Sequence, residues 1–134
     1  MTTIQTPEIG IDVFAWLVNQ PGGRSRPAHV EKWWGYEKIY KNDTQYCMKK
    51  LFMKDRGHTS FHFHVNKHET LLVVSGVLTL TVIHDKKRFV HILREGEAWV
   101  MPPGMVHRLE AAHGNLVLIE ASTYDHPNDS VRVE

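Results

Sequence analysis

Apolar and polar side chains alternate along most of the chain after residue 32, and polar or glycine-containing segments interrupt the alternation at short intervals. A period of two, with turn residues every eight to twelve positions or so, is typical of antiparallel β-sandwiches and barrels. The sequence contains no long helical stripe and no internal repeat. The pattern therefore predicts an all-β domain with strands near 33–40, 45–54, 60–64, 69–75, 77–84, 88–93, 98–101, 106–110 and 115–122.

The first 31 residues follow a different pattern. Residues 13–18 are apolar, and residues 19–27 are rich in glycine and proline, which interrupt regular structure. We expect an N-terminal arm and loop over 1–31, with a strand or short helix that packs on the barrel or on a partner subunit, and a β-barrel domain over 32–134. A packing arm is favoured over a lid for the active site.

Candidate chemistry begins in the segment from Gly57 to Gly76. His62 and His64 are two residues apart among residues that favour strands, so both imidazoles should project from the same face. After a polar turn, Glu69 opens an apolar run that we interpret as the returning strand. The spacing therefore predicts two imidazoles and one carboxylate at a common site.

A second segment, from Gly96 to His107, contains Pro102, Gly104 and a further histidine. Together the two segments read H-x-H-x4-E-x6-G and G-x5-P-x-G-x2-H, which resembles the two motifs of the cupin superfamily. The resemblance implies a double-stranded β-helix, or jelly-roll barrel. It also implies one divalent metal ion bound by His62, His64, Glu69 and His107. Zinc is the expected ion, with manganese, iron, cobalt and nickel as alternatives.

A closer resemblance, over about residues 32–134, is to the C-terminal cupin domain of type II phosphomannose isomerases. It rests on the segments 32–37, 49–51, 73–76, 102–104, 107–110, 118–120 and 129–132. Around the site the chain departs from that family's pattern, with His62 in place of Gln, Lys67 of Arg, Thr70 of His and Leu71 of Trp.

The isomerase resemblance implies interconversion of a phosphorylated aldose and ketose by metal-assisted proton transfer. Lys49 is the candidate base, with His58 and His68 as alternatives. Lys67, Arg108 and Arg132 are the candidate phosphate ligands, although Arg108 alternates away from His107 and favours a surface position.

The orientation of Lys49 depends on the register of its strand. If Cys47, Leu51 and Met53 point inward, Lys49 does so as well, and burial would lower the pKa of its ammonium group toward a range useful for proton transfer. The opposite register would leave Lys49 in solvent.

Two other functions fit the same ligands. With Fe(II), three histidines and one glutamate support dioxygen chemistry, so a small cupin dioxygenase is the enzymatic alternative. A sugar-binding module that uses the metal without turnover is the non-enzymatic alternative. His68 is a lesser alternative to Glu69 as a ligand, because it should face away if the strand has already begun.

Composition limits the partners. The 134 residues are 42% hydrophobic, and 16 basic against 15 acidic side chains give a formal charge of +1, which fits one globular domain. No block of like charge suggests nucleic acid or a membrane surface. The single Cys47 and the lack of an N-terminal targeting pattern predict a cytoplasmic protein. The family resemblance implies a homodimer and a small sugar or sugar phosphate as ligand.

Overall fold

The computed structural model describes residues 22–134, and over that range it contains eleven β-strands and no helix. The strands are β1 (Ala28–Lys32), β2 (Gly35–Asn42), β3 (Cys47–Met53), β4 (His62–His64), β5 (Glu69–Ser75), β6 (Leu78–His84), β7 (Lys87–Leu93), β8 (Ala98–Met101), β9 (Val106–Glu110), β10 (Leu116–Ser122) and β11 (Ser130–Arg132). Accordingly, no helix in this part of the chain is long and apolar enough to cross a membrane.

The strands form two antiparallel sheets that face each other. One sheet has six strands in the order β1-β2-β3-β10-β5-β8, and the other has five in the order β11-β4-β9-β6-β7. Consecutive strands such as β5 and β6 lie in different sheets, which is the arrangement of a jelly roll. The predicted all-β jelly-roll fold is therefore confirmed.

Each of the nine predicted strands is present, with ends that differ by two residues at most. Two further strands were not predicted. Strand β1 lies in the segment expected to be arm and loop, and it forms a hairpin with β2 through Trp33 and Trp34. Strand β11 pairs with β4 near the end of the chain. The predicted apolar patch at 13–18 lies outside the described residues.

The hydrophobic core follows from the alternation. Inward positions of β5, β6 and β10 supply fully buried side chains, among them Leu71, Leu80 and Leu118, which pack between the two sheets. The same parity fixes the register of β3, in which Cys47, Lys49, Leu51 and Met53 are all buried. The inward register of Lys49 is thus the one observed.

Gly76 makes the tight turn between the sheets. Its φ of +89° suits glycine, and a Cβ at this position would lie 2.3 Å from the carbonyl oxygen of Asn115. A side chain here would therefore force apart the starts of β6 and β10.

Candidate metal centre

Three histidines meet inside the barrel near one end of the five-stranded sheet. His62 on β4 lies directly opposite His107 on β9, so the two side chains share a face, and His64 follows two residues after His62. One ring nitrogen from each of His62, His64 and His107 lies within 4.8 Å of the others. This distance suits three ligands around a single ion.

Hydrogen bonds orient two of these rings. The Nδ1 atoms of His62 and His107 each lie 2.9 Å from a main-chain carbonyl oxygen, that of Ser60 and that of Met105 respectively. Because a carbonyl oxygen only accepts, each Nδ1 donates its hydrogen and the lone pair remains on Nε2. Such bonds fix the tautomer that binds a metal through Nε2.

Glu69 brings a buried carboxylate to the cluster. Its Oε1 lies 3.4 Å from Nε2 of His107, and its Oε2 lies 3.9 Å from Nε2 of His64. The carboxylate is 4% exposed. Burial opposes its charge, but the neighbouring His107 and Lys67 hold the pKa of Glu69 below its ordinary value of 4.5. It is therefore an ionised ligand candidate at neutral pH.

The imidazoles of His62 and His64 are neutral at pH 7. Burial and the ammonium group of Lys67 lower the pKa of His64 to about 4, and burial together with His107 lowers the pKa of His62. The Nε2 atom of His107 is buried and makes no hydrogen bond to any described residue. Neutral imidazoles and an ionised carboxylate are the donors that Zn²⁺ and related ions accept, so these residues fit a divalent metal ion.

Asp129 supports the loop that joins His64 to Glu69, and sequence reasoning assigned it no role. Its carboxylate accepts hydrogen bonds from the main-chain N–H groups of Asn66 at 2.8 Å and Lys67 at 3.1 Å. Its Oδ2 also lies 3.7 Å from Nδ1 of His64, behind the ring. Gly104 adds a second restraint, because its N–H donates to the carbonyl oxygen of His64 at 2.8 Å.

Lys67 lies beside the cluster and is 3% exposed. Its Nζ is 3.2 Å from Oε2 of Glu69, 3.2 Å from Oε2 of Glu120 and 3.4 Å from Oδ1 of Asp125. Although burial opposes the charge, these carboxylates raise the pKa of Lys67 above its ordinary value. Lys67 is therefore protonated and paired with three carboxyl groups.

Lys49 has a similar environment. Its Nζ contacts the carboxylate of Asp125 and lies 3.4 Å from Oε2 of Glu37. The expectation that burial lowers the pKa of Lys49 is wrong, because Glu120, Glu37 and Asp125 outweigh burial and raise it. A protonated, paired lysine does not favour proton transfer, and the role of Lys49 as a base stays a prediction.

Glu120 was also missed by sequence reasoning. It lies opposite Lys49 on the neighbouring strand, is buried, and contacts Lys67. Burial and the negative charge of Glu69 raise the pKa of Glu120 above its ordinary value of 4.5. Its inward orientation follows from the parity of β10, but its role depends on lysines that lie far away in the sequence.

The remaining predicted residues lie at different depths. His58 lines the same cavity, with its ring edge-on to Trp33 at 4.7 Å between centroids. His68 is exposed, as expected for a residue that faces away. Arg108 pairs with Glu110 at 3.1 Å. Arg132 lies on β11, directly opposite His62.

The cluster forms one wall of a cavity of about 980 Å³ that is open to solvent. Apolar and aromatic side chains, including Trp33, Trp34 and Leu51, line it together with the charged groups described above. A space of this size admits a small sugar-sized molecule beside the histidines.

Comparison with known proteins agrees with this geometry. The family model described as Cupin matches residues 15–133. A mannose-1-phosphate guanylyltransferase from Sinorhizobium fredii (strain NBRC 101917 / NGR234) is 30% identical over 114 residues, which are 80% of this chain and 20% of that protein. The chain thus spans about one fifth of the length of this relative.

Solved structures show the same fold at low sequence identity. The capsular polysaccharide assembling protein CapF from Staphylococcus aureus superposes with a TM-score of 0.72 at 20% identity, over 81% of this chain and 33% of CapF. Oxalate decarboxylase from Bacillus subtilis superposes with a TM-score of 0.70 at 15% identity, over 84% of this chain and 34% of the decarboxylase. With a jelly-roll barrel, a three-histidine cluster inside it and a family match over nearly its whole length, the chain belongs to the cupin family.

Proposed function

We propose that His62, His64, Glu69 and His107 bind one divalent metal ion, with zinc as the expected ion. The observation that carries this proposal is the convergence of three ring nitrogens within 4.8 Å beside a buried carboxylate. Three imidazoles and one carboxylate match the donor preferences of Zn²⁺, Mn²⁺ and Fe²⁺. The carbonyl oxygens of Ser60 and Met105 orient His62 and His107, and Asp129 holds the loop between His64 and Glu69.

We propose that the reaction is the interconversion of a phosphorylated aldose and its ketose. The bound metal ion would supply Lewis acidity toward a carbonyl oxygen and the adjacent hydroxyl. The cavity supports a ligand of this size, and the relative that is 30% identical has a sugar phosphate in its name.

His58 is the proposed proton-transfer group. Its Nδ1 lies 2.9 Å from the carbonyl oxygen of Thr59 and therefore carries the hydrogen, which leaves the lone pair of Nε2 available to accept a proton. Of the three candidate bases, Lys49 is held by carboxylates and His68 is exposed, whereas His58 lines the cavity. Contact of Trp33 with the His58 ring restricts its rotation.

The test begins with elemental analysis of the wild-type protein and the His107→Ala variant. We expect about one metal ion per chain in the wild type and a loss of at least 10-fold in metal affinity in the variant, because a ligand has been removed. His68→Ala is the matched control, since His68 is exposed and adjacent to Glu69. No metal in the wild type under zinc, manganese, cobalt or iron loading would contradict the metal centre.

Activity is measured with mannose 6-phosphate and fructose 6-phosphate on protein loaded with each metal. We expect interconversion that falls by about 100-fold or more in His58→Ala, within the range of general acid–base catalysis. Metal binding without interconversion would contradict the isomerase, and oxygen consumption by the iron form would favour the dioxygenase.

A metal-supported sugar-binding module is the second candidate, and the state of the lysines favours it. Both Lys49 and Lys67 are charged and paired with carboxylates, an arrangement suited to a fixed wall and not to proton transfer. This function predicts sugar binding with no turnover under any metal.

The proposed assembly is a homodimer, by resemblance to other small cupins. Size-exclusion chromatography with light scattering tests it: a mass of twice 15.5 kDa supports the dimer, and a mass of one chain contradicts it.

A further inference from the structure

The buried lysines of the cavity have no capacity left for an anionic ligand. Lys67 contacts three carboxylates, and Lys49 contacts two. A phosphate or carboxylate group that approached them would have to displace these buried ion pairs and would meet the charges of Glu69 and Asp125. An anionic ligand therefore needs a different cation.

Arg132 occupies the position where such a cation is useful. Strand β11 runs antiparallel to β4 with Arg132 opposite His62, and His62 is in turn opposite His107 on β9. Residues directly opposite each other in antiparallel strands project from the same face of the sheet. The arginine thus lies in one row with two of the proposed metal ligands, on the face that lines the cavity.

The distance is suitable for a small ligand. Neighbouring strands are about 4.8 Å apart, so the Arg132 backbone lies about 5 Å from that of His62 and about 10 Å from that of His107. Arg132 is exposed at the cavity mouth, whereas His64 and His107 are buried. A molecule with one end at the histidines and the other at Arg132 would lie along the row, from the interior to solvent.

The guanidinium group of Arg132 also has N–H donors that make no hydrogen bond to residues 22–134. Among residues 22–134, no side-chain carboxylate forms an ion pair with Arg132, and its Nε donates to the main-chain oxygen of Glu134 at 3.4 Å. The side-chain carboxylate of Glu134 is paired instead with Arg88, at 3.1 Å. The two terminal nitrogens of Arg132 remain for a planar, two-point contact with an oxyanion.

We infer that Arg132 binds the anionic group of the cavity's ligand, a phosphate or a carboxylate, while the opposite end of the ligand lies at the three histidines. The inference rests on the proposed function for the position of the metal-binding end, and it adds the ligand's charge and orientation. In the proposed reaction, the phosphate group would lie at the cavity mouth and the carbonyl end in the interior.

Binding is measured by isothermal titration calorimetry on the zinc-loaded full chain, with mannose 6-phosphate, glucuronate and uncharged mannose as probes. We expect Arg132→Ala to weaken mannose 6-phosphate binding by about 10- to 100-fold, the loss typical of hydrogen bonds to a charged group. Zinc content and mannose affinity should stay unchanged, and Arg132→Lys should recover part of the loss because it keeps the charge without the planar fork.

Arg94→Ala is the matched control, because Arg94 is exposed and is not among the residues that line the cavity. It should change mannose 6-phosphate affinity by less than about 3-fold, as expected for an exposed charge outside the cavity. The glucuronate titration distinguishes a carboxylate ligand from a phosphate ligand. Equal losses of affinity for glucuronate and mannose 6-phosphate in Arg132→Ala indicate that Arg132 binds either group. A loss of affinity for one of them alone identifies the group that Arg132 binds.

The proposed contact between Arg132 and the anionic group is contradicted if Arg132→Ala binds mannose 6-phosphate as tightly as the wild type does. It is also contradicted if the wild type binds neither anion more tightly than mannose. These outcomes differ from failure of the isomerase. Ligand binding that depends on Arg132 without interconversion contradicts the isomerase but supports the contact of Arg132 with the anionic group. Interconversion that is insensitive to Arg132→Ala supports the isomerase but contradicts that contact.

Discussion

Strand β5 points Glu69 into one end of the barrel and Leu71 and Val73 into the other, and its neighbours do the same. On β3 the buried Lys49 precedes Leu51 and Met53. One end of the interior is therefore apolar and the other is charged, although both are built from the same strands. Alternation decides that a side chain points inward, and the residue type at each level decides whether it stabilises the fold or forms the site.

The two ends also differ in how their groups are compensated. Apolar side chains need only close packing, which nearby strands provide. Charged side chains need specific partners, and in this chain the partners come from distant segments, as in the contact of Lys67 with Glu120. The charged end should therefore be more sensitive to the removal of a single group and to metal ions.

Removal of a central cation should have the largest effect. Lys67→Met removes the cation shared by Glu69, Glu120 and Asp125, of which only Asp125 keeps a direct contact with Lys49, so we expect the free energy of unfolding to fall by about 3–5 kcal/mol in the absence of metal. Zinc should restore part of this loss, because it supplies positive charge next to Glu69. Urea denaturation with and without zinc measures both effects. An equal loss in the two conditions would contradict the link between Lys67 and the metal centre.

Truncation at the apolar end should be insensitive to metal. Leu118 is fully buried between Leu51 and Val73, and Leu118→Ala should lower the free energy of unfolding by about 2–5 kcal/mol through lost burial and a cavity. Zinc content per folded chain should equal that of the wild type. A variant that folds but fails to retain zinc would show that the two ends are not separable.

Asp125→Asn should have an intermediate effect that depends on pH. Burial opposes the charge of Asp125, but Lys49 and Lys67 hold its pKa below the ordinary 3.8 in the folded protein. A lowered folded pKa stabilises the protein above the unfolded pKa, and this contribution disappears as pH falls through the folded pKa. The variant should therefore be less stable by about 1–3 kcal/mol at pH 7, with a smaller difference from wild type near pH 3.

Urea titrations of the wild type and Asp125→Asn at the two pH values give the comparison. A difference that is independent of pH would show that the side chain acts through packing and not through its charge.

The smallest effect is expected at His68, which adjoins Glu69 but faces solvent. His68→Ala should change the free energy of unfolding by less than about 0.5 kcal/mol and leave zinc content unchanged. Loss of zinc in this variant would contradict the assignment of Glu69 as the ligand on this strand.

Local pattern was sufficient for most of the fold. Alternation correctly predicted β5, β8 and β9 to the residue, and it oriented His62, His64 and Glu69 toward one space. The short strand β11 was missed because a three-residue polar segment has no periodicity of its own, and it becomes a strand only by pairing with β4.

The charged contacts of the site and their effect on pKa values were harder to predict from the sequence. Burial of Lys49 was a correct alternative, but the direction of its pKa shift depends on Glu37, Glu120 and Asp125, which are brought to it by three different parts of the chain. Asp129 was missed for the same reason, since its contacts with Asn66 and Lys67 cross more than sixty positions. Such groups carry no local signal, because only the folded topology makes them neighbours.

Carboxyl groups outnumber ammonium groups at the charged end of the interior. Two ammonium groups, on Lys49 and Lys67, face four carboxyl groups, on Glu37, Glu69, Glu120 and Asp125. Such an interior attracts a divalent cation and repels an anion until the cation has been taken up. Under the proposed function we therefore expect the metal ion to bind before an anionic ligand.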